Sequence, residues 1–284
     1  MKKWWIALAT ACVLCCAAIV GGGYMENQAL ELNTYTISSQ RLPTAFDGFR
    51  IAQVSDLHNA EMGENNEKLL TTLHEAKPDI IVLTGDLIDS RKTKVDVALD
   101  FVENAMQIAP CYYVTGNHEA RVQEYTALKE GLTSLGVEVL ENARTEVELS
   151  GEKITILGVD DPSVQTDYLF GDEETVMRGE LSTLTCETDG FTILLSHRPE
   201  LFDIYVEFGV DVVFSGHAHG GQFRLPFVGG MFAPNQGLFP NYDGGVFTQD
   251  KTNMVVSRGV GNSIIPFRIN NKPEVVLIEL TKEV

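Results

Sequence analysis

Short apolar runs recur along this chain, and most are separated by segments in which apolar residues return every three or four positions. The runs predict β-strands, and the intervening segments predict α-helices. Because the runs lack polar residues at alternate positions, we expect strands buried on both faces, as in an α/β sheet. The strands are predicted at 34–38, 50–55, 79–84, 111–115, 153–159, 191–196, 210–215, 254–257 and 274–280, and the helices at 65–75, 95–107, 119–135, 175–184 and between 196 and 210.

The first two dozen residues have a different pattern. Lys2 and Lys3 precede an uncharged run of 17 residues from Trp4 to Val20, and three glycines follow it. The run is longer than most secretory signal cores and reaches the lower limit for a membrane-spanning helix. We therefore expect residues 1–24 to be a signal-anchor or transmembrane segment of a single-pass cell-membrane protein. The flanking lysines then place the domain outside the cytoplasm. Cleavage near Ala17 and secretion is the alternative.

The remainder is expected to comprise a linker with a first strand, residues 25–44, and one domain, residues 45–284. That length suffices for one large α/β domain with a full core. The segment Gly220–Gly245 departs from the alternation, with seven glycines, three prolines and four phenylalanines among its 26 residues. Its aromatic content predicts an ordered loop rather than disorder, and such loops often shape access to a site.

The charge of the chain restricts its partners. Its 40 acidic and 21 basic residues give a net charge of −19. Nucleic acids are bound mainly through cations that neutralise phosphates, so we expect no nucleic-acid partner. A phosphorylated substrate would have to be attracted locally, by a strongly positive group within the site.

Only two cysteines, Cys111 and Cys186, lie in the predicted domain. Two cysteines do not make a disulfide framework. Reduced, buried thiols are therefore the favoured interpretation, and a single disulfide is the alternative outside the cytoplasm.

Side chains that can bind metal ions follow five of the predicted strands. They are Asp56 and His58, Asp86 and Asp89, Asn117, His118 and Glu119, His197, and His217 and His219. One Asp after a strand is usually a turn residue or a helix cap, and one His is usually an ordinary polar residue. Five such clusters at equivalent strand ends instead predict a single site, because ligands of open α/β sheets bind at the carboxyl ends of the strands. His74 lies within a predicted helix and is interpreted as an ordinary polar residue.

The residue types at these strand ends suggest the kind of metal. Oxygen and imidazole ligands without thiolates suit Mn, Fe or Zn and exclude a zinc-finger type of site. The candidate ligands among these residues are Asp56, His58, Asp86, Asn117, His197, His217 and His219. These seven exceed what one ion needs, so we expect two divalent metal ions. Two ions about 3.5–4 Å apart clamp a phosphoryl group and activate a water between them.

At this point the sequence resembles the calcineurin-like metallophosphoesterase superfamily. The matching motifs are Asp56-Leu57-His58, Gly85-Asp86 with Asp89, Gly116-Asn117-His118-Glu119, His197, and Gly216-His217 with His219. The stretches at 158–162, 217–222 and 257–261 resemble its membrane-associated YkuE/YaeI-like branch. The resemblance implies a four-layer α/β/β/α sandwich, here following a single N-terminal transmembrane or signal-anchor helix.

The resemblance also implies roles for individual residues. The ligands of the first ion would be Asp56, His58, Asp86 and His219, and those of the second would be Asp86, Asn117, His197 and His217. A hydroxide bridging the two ions would attack phosphorus, and His118, which would bind no metal, would protonate the leaving oxygen or stabilise charge. Asp89 would hydrogen-bond to His118, orient it and raise its pKa; the alternative is that Asp89 caps the next helix. Arg198 would either contact substrate phosphate or be an ordinary surface residue.

These inferences predict a manganese-dependent or similar phosphoesterase at the outer face of the membrane. Its substrate would be a phosphomonoester, a phosphodiester or a lipid-linked pyrophosphate. A catalytically silent metal-binding envelope scaffold is one alternative, although no ligand of the motif is missing. A nuclease is the other, and the net charge of −19 argues against it.

Overall fold

The computed structural model describes residues 2–165, 172–186, 188–262 and 265–283. The strands are β1 (Glu31–Ser39), β2 (Arg50–Val54), β3 (Ile80–Thr84), β4 (Cys111–Val114), β5 (Glu138–Val139), β6 (Ala143–Leu149), β7 (Glu152–Gly158), β8 (Thr192–Leu195), β9 (Val212–Ser215), β10 (Arg224–Leu225), β11 (Gly229–Gly230), β12 (Phe232–Ala233), β13 (Gly237–Leu238), β14 (Gly245–Gln249), β15 (Thr252–Val256) and β16 (Glu274–Lys282). The helices are α1 (Lys2–Glu26), α2 (Glu67–Ala76), α3 (Val95–Ala105), α4 (Tyr125–Ser134), α5 (Glu173–Leu184) and α6 (Phe202–Glu207).

Twelve of these strands form two mixed six-stranded sheets. The first has the order β1-β16-β2-β3-β4-β5, and the second has the order β14-β15-β9-β8-β7-β6. The central strands of each sheet are parallel, because helices connect them and return the chain to the same edge. As a result, β2, β3, β4, β8 and β9 all end at one side of the molecule.

Each inner strand contributes side chains to two hydrophobic cores, one on each of its faces. In β3, Ile80 and Val82 enter the core between the sheets, whereas Ile81 and Leu83 enter the core beneath α2, α3 and α4. In β9, Val213 packs in a third core with α5 and α6. The layers are therefore helix, sheet, sheet and helix, as expected. This arrangement explains why the strands have continuous apolar sequences, since neither face meets solvent.

The helix boundaries follow local sequence. α2 ends at Ala76, where Lys77 adopts a left-handed conformation with φ of 48° and Pro78 follows. α5 begins after Asp172, whose carboxylate accepts hydrogen bonds from the N–H groups of Glu174 and Thr175.

All nine predicted strands are present, but three features differ from the sequence-based expectations. The helix predicted at 119–135 divides into a short 3-10 turn at Glu119–Arg121 and α4, because the chain is extended at Val122. Strands β6 and β14 were not predicted. Both lie at sheet edges, and their residues are exposed or half-buried, so they lack a continuous apolar run. The two-residue edge strand β5 was not predicted either. The Gly220–Gly245 loop is ordered, as expected, but it contains two small hairpins that were not predicted, β10–β11 and β12–β13.

The N-terminal segment is helical from Lys2 to Glu26. Among the residues that the structure describes, no helix combines the length and hydropathy needed to cross a membrane. The expectation that residues 1–24 form a transmembrane or signal-anchor helix therefore has no support from the helices of this structure.

Candidate metal centre

All seven predicted metal ligands are buried together where the ends of the two sheets meet. The sheets are joined there by hydrogen bonds between strand ends. Gln53 of β2 donates from Nε2 to the carbonyl oxygen of Ser215 in β9 at 2.8 Å. The placement of the site at the carboxyl ends of the parallel strands is therefore as expected.

One group of donor atoms comprises Asp56, His58 and His219. The Nε2 atoms of the two histidines are 3.2 Å apart, and His219 Nε2 lies 3.3 Å from Asp56 Oδ1. One potential ligand atom from each residue lies within 4.8 Å of the others. Two imidazole nitrogens this close need a proton or a cation between them, so the group fits a metal ion.

A second group comprises Asp86, His197 and His217. His197 Nε2 lies 3.3 Å from Asp86 Oδ2 and 3.2 Å from His217 Nδ1. The Nδ1 atom of His197 lies 2.7 Å from the carbonyl oxygen of Thr84, which can only accept a hydrogen bond. That contact places a proton on Nδ1 and, in the neutral ring, leaves the Nε2 lone pair available for a metal.

Asp86 connects the two groups. Its Oδ2 atom is 3.5 Å from His58 Nε2 and 3.3 Å from His197 Nε2. The Oδ1 atom of Asn117 is buried and accepts no hydrogen bond from any residue that the structure describes. An orphaned buried acceptor beside such a carboxylate is consistent with a ligand to a cation. The residues therefore fit a dinuclear metal site, although they do not determine which metals occupy it.

The strand ends turn sharply to bring these side chains together. Asp56, Asp86 and His217 adopt left-handed conformations, with φ of 52°, 53° and 66°. Non-glycine residues rarely adopt this conformation, which costs on the order of 1–3 kcal/mol each. Glycines relieve the crowding. A Cβ atom on Gly116 would lie 2.2 Å from Asp86 Oδ1, and one on Gly216 would lie 2.0 Å from Ser55 Oγ.

Glu119 supports the site without joining either group of metal-binding residues. Its Oε2 atom accepts hydrogen bonds from the N–H groups of Asp86 at 2.9 Å and Gly116 at 2.8 Å, and Oε1 accepts one from Ile88 at 3.2 Å. Burial and the negative charge of Asp86 together raise the pKa of Glu119 to about 7. The carboxylate thus ties the β3 end to the β4 end.

The predicted hydrogen bond between Asp89 and His118 is wrong. Asp89 Oδ1 lies 4.0 Å from His118 Nδ1, whereas it accepts hydrogen bonds from the Arg91 N–H at 2.8 Å and from Arg91 Nε at 3.0 Å. The Ser90 N–H donates to His118 Nδ1 at 2.9 Å instead. In the neutral ring, the proton of His118 is therefore on Nε2.

The pKa of His118 also differs from the expectation. Burial lowers the pKa of this ring, and the nearby carboxylates of Asp86 and Asp89 do not reverse that effect. His118 also packs against His58 with ring centroids 4.5 Å apart. His118, His58 and Asp86 also form a further candidate metal-binding group. One potential ligand atom from each of the three residues lies within 4.8 Å of the other two.

Arg198 faces neither substrate nor solvent, so both interpretations considered for it are wrong. Its side chain is buried and forms a bidentate ion pair with Asp161. In one of the two contacts, Nη2 lies 2.9 Å from Oδ1. Nη2 also donates to Ser163 Oγ at 2.8 Å. The charge of Arg198 is therefore used to join the end of β7 to the end of β8.

A cavity of about 230 Å³ opens over the metal-binding residues. It is lined by Asp86, Ser90, Arg91, Asn117, His118, Arg121, His217, His219, Pro234 and Asn235. The roles of Ser90, Arg91, Arg121 and Asn235 were not predicted. Only the aromatic loop after His219 pointed to this region, and Asn235 Oδ1 of that loop lies 3.2 Å from His217 Nε2.

Comparison with known proteins identifies the family. Residues 49–221, more than half of the chain, match the family model described as calcineurin-like phosphoesterase. The chain is 33% identical over 276 residues to the uncharacterized metallophosphoesterase YkuE of Bacillus subtilis, covering 93% of this chain and 92% of that protein. It is 26% identical to the phosphodiesterase YaeI of Escherichia coli, covering 92% of this chain and 93% of that protein.

Solved structures agree on the fold. TT1561 of Thermus thermophilus superposes with a TM-score of 0.52 at 14% identity, covering 75% of this chain and 90% of that protein. With the sequence relatives, the shared fold and a dinuclear Asp/His site in place, the chain belongs to the calcineurin-like metallophosphoesterase family of metal-dependent phosphoester hydrolases.

Proposed function

We propose that this protein hydrolyses phosphomonoesters, phosphodiesters or lipid-linked pyrophosphates with two divalent ions, of which Mn, Fe and Zn are candidates. The observation that supports this most directly is the position of Asp86 Oδ2 between the two groups of metal-binding residues, 3.5 Å from His58 and 3.3 Å from His197. A carboxylate shared in this way brings two cations next to one cavity, where a phosphoryl group can contact both.

Two sets of side chains, which share Asp86, are the proposed ligands of the two ions. Asp56, His58, Asp86 and His219 would hold one ion, and Asp86, Asn117, His197 and His217 would hold the other. When bound, divalent ions act as Lewis acids that activate water and neutralise phosphoryl oxygens. They also supply positive charge within the site of a chain whose net charge is −19.

His118 is proposed to stabilise the negative charge that develops on the leaving oxygen, through a hydrogen bond from Nε2. The hydrogen bond from Ser90 N–H to Nδ1 leaves the proton of the neutral ring on Nε2, and the ring lines the cavity. Arg91 and Arg121 line the same cavity and would bind the non-reacting oxygens of the phosphate. Positioning of this kind accounts for most of the catalysis in phosphoryl transfer.

One relative supports a phosphodiester as the substrate class, since YaeI is named a phosphodiesterase and aligns over nearly the whole chain. The proposed location is the outer face of the cell membrane. That proposal depends on the two lysines that precede the apolar segment Trp4–Val20.

The test is turnover by the full chain of a phosphomonoester, a phosphodiester and a lipid pyrophosphate, with the divalent metal varied. We expect activity that requires Mn²⁺ or a similar ion. Asp86→Asn should lower it by several orders of magnitude, because one substitution weakens both metal sites. The matched control is His74→Ala, which alters an exposed histidine on α2.

Two other outcomes would favour the alternatives. A silent scaffold would bind metal without turning over any of the three esters. A nuclease would bind DNA with an affinity that falls steeply as salt is added.

His118→Ala separates stabilisation of the leaving oxygen from metal binding. We expect this variant to keep its metal content, measured by elemental analysis, and to lose about 10²- to 10³-fold in kcat, as removal of one donor to a developing oxyanion does. Loss of bound metal in this variant would instead make His118 a ligand, as its place beside His58 and Asp86 allows.

A further inference from the structure

The loop that follows His219 exposes an uncharged apolar surface. From Leu225 to Tyr242 the chain has 18 residues without a charged side chain, although 21% of all its residues are charged. The exposed large apolar side chains of this segment are Leu225, Phe227, Val228, Phe232, Leu238 and Phe239. Large contiguous apolar patches are rare on soluble monomers and usually bind a partner, and here six exposed large apolar side chains fall within 18 residues of chain. We name these six side chains the apolar surface.

The loop beneath the apolar surface is held in place by the protein. The N–H of Met231 donates to the carbonyl oxygen of Phe223 at 2.8 Å, and the N–H of Phe239 donates to that of Met231 at 2.9 Å. Gly221 and Gly230 pack so closely that a Cβ on Gly221 would lie 2.3 Å from the Cα of Gly230. Exposure of the apolar surface is therefore a property of a fixed structure.

The charges around this surface favour an uncharged partner. Arg224 and Asp243, which flank the segment, form an ion pair of 3.0 Å and neutralise each other. A second copy of the chain would bring another net charge of −19, which opposes self-association. A lipid bilayer matches the surface best if its headgroups carry no net charge, because its apolar acyl chains can then receive the apolar side chains.

The loop that carries the apolar surface is connected to the N-terminal helix through Phe223 and Phe267. The ring of Phe223 packs against that of Phe267 with centroids 5.6 Å apart. Phe267 in turn lies against Gly23 of α1, where an added Cβ would be 3.1 Å from its ring. α1 exposes the indole rings of Trp4 and Trp5, a side-chain type enriched at membrane interfaces.

The same loop borders the catalytic cavity. Pro234 and Asn235 line the cavity beside the metal-binding residues, and Asn235 Oδ1 lies 3.2 Å from His217 Nε2. We propose that the apolar surface docks the protein on a zwitterionic lipid bilayer, so that the cavity receives the phosphoryl headgroup of an amphiphilic ester from the lipid interface. The substrate class in this proposal depends on the function proposed above, whereas the docking does not.

The docking is tested in the full chain with a single tryptophan reporter. In a background with Trp4→Phe and Trp5→Phe, Phe227→Trp places the reporter at the hairpin tip, where Phe227 is fully exposed. The matched control is Leu149→Trp in the same background, at an exposed apolar position at the end of β6. Emission is recorded with phosphatidylcholine vesicles whose acyl chains are either brominated or unmodified.

We expect brominated lipid to quench the Phe227→Trp emission by about twofold or more and to leave the Leu149→Trp emission unchanged, since interfacial elements enter the acyl boundary by several ångströms. Equal emission of Phe227→Trp with both lipids would overturn the proposal. A blue shift that grows with protein concentration in the absence of vesicles would also overturn it, because a second copy would then occupy the surface.

The substrate class is tested by turnover of a long-chain phosphatidate diluted in phosphatidylcholine vesicles and of a water-soluble aryl phosphate. Phe227→Ser should lower phosphatidate turnover about tenfold, and Leu149→Ser should not change it. Wild-type activity on the soluble ester alone would overturn the proposed substrate class. Wild-type activity on neither ester would count against the proposed function itself, whatever the quenching shows.

Discussion

At the scale of single residues, the orientation of His118 depends on a main-chain donor. The Ser90 N–H holds Nδ1 at 2.9 Å, and the carboxylate of Asp89 is directed to Arg91. Asp89 therefore acts on the cavity through the guanidinium of Arg91, which lines it. This changes what a substitution of Asp89 should do.

We predict that Asp89→Ala raises KM more than it lowers kcat. Losing the ion pair releases a partly exposed arginine, so a rise in KM of about tenfold or less is expected. The measurement is steady-state kinetics on a soluble phosphoester, with Glu103→Ala on the exposed face of α3 as control. A large fall in kcat with an unchanged KM would instead restore the Asp89–His118 pair.

The two cysteines of the domain also differ at this scale. Cys111 and Cys186 are both free thiols; Cys111 is buried and Cys186 is exposed. Burial raises the pKa of Cys111 to about 12. A thiolate, not a thiol, reacts with alkylating reagents, so Cys111 should be nearly inert near neutral pH.

We predict that iodoacetamide at pH 8 modifies Cys186 at least about a hundred times faster than Cys111 in the native protein. Mass spectrometry of peptides from timed reactions gives both rates in one sample. Similar rates, or a peptide pair linked through both residues, would contradict the structure.

At the scale of secondary-structure elements, a buried ion pair joins the strand ends that carry the site. Arg198 follows the metal-binding residue His197 at the end of β8, and its partner Asp161 follows β7. The pKa of Asp161 is lowered to about 2: burial opposes ionisation, but the charge of Arg198 outweighs it. Loss of one partner would leave the other charge buried and unpaired.

We predict that Arg198→Ala lowers the free energy of unfolding by about 3–5 kcal/mol, the usual cost of breaking a buried pair. The control is Arg178→Ala, whose partners Glu174 and Glu207 are exposed. That change should cost about 1 kcal/mol or less. Urea denaturation measures the free energy of unfolding of both variants. Equal losses of this free energy would show that the buried pair stabilises the fold no more than the exposed pair does.

Which elements could be predicted depends on their surroundings. The inner strands are buried on both faces, so their apolar runs reveal them without further information. Strands β6 and β14 are stabilised by pairing with β7 and β15 at the sheet edges, and their own residues are all exposed or half-buried. That pairing is nonlocal and leaves no continuous run in the sequence.

At the scale of the whole molecule, the end of α1 is connected to the metal-binding residue His219. Asn27 donates from Nδ2 to the carbonyl oxygen of Pro266 at 2.7 Å and accepts from the N–H of Arg268 at 3.1 Å. Asn271, a few residues further on, donates to the carbonyl oxygen of His219 at 2.8 Å. The segment that follows α1 is therefore part of the support for the site.

We predict that Asn27→Ala costs about 1–3 kcal/mol of unfolding free energy, since it leaves the buried N–H of Arg268 without its acceptor. The neighbouring Gln28→Ala, at an exposed position, is the control and should cost little. Metal content measured after dialysis should fall in Asn27→Ala. A normal metal content with normal stability would show that the end of α1 does not support His219.

The sequence by itself determined the α/β class, the inner strands and the residues that form the metal centre. Parallel strands of one sheet end at one edge, so the metal-binding residues that follow β2, β3 and β4 lie together, as do those that follow β8 and β9. The packing of the two sheets against each other brings both sets into one site. The tertiary structure alone decided the partners of those residues. Asp89 pairs with Arg91, Ser90 orients His118, Arg198 is buried, and Asn235 reaches His217. These outcomes depend on which segments meet in space, and side-chain hydrogen bonds between distant segments leave no periodic trace in a sequence.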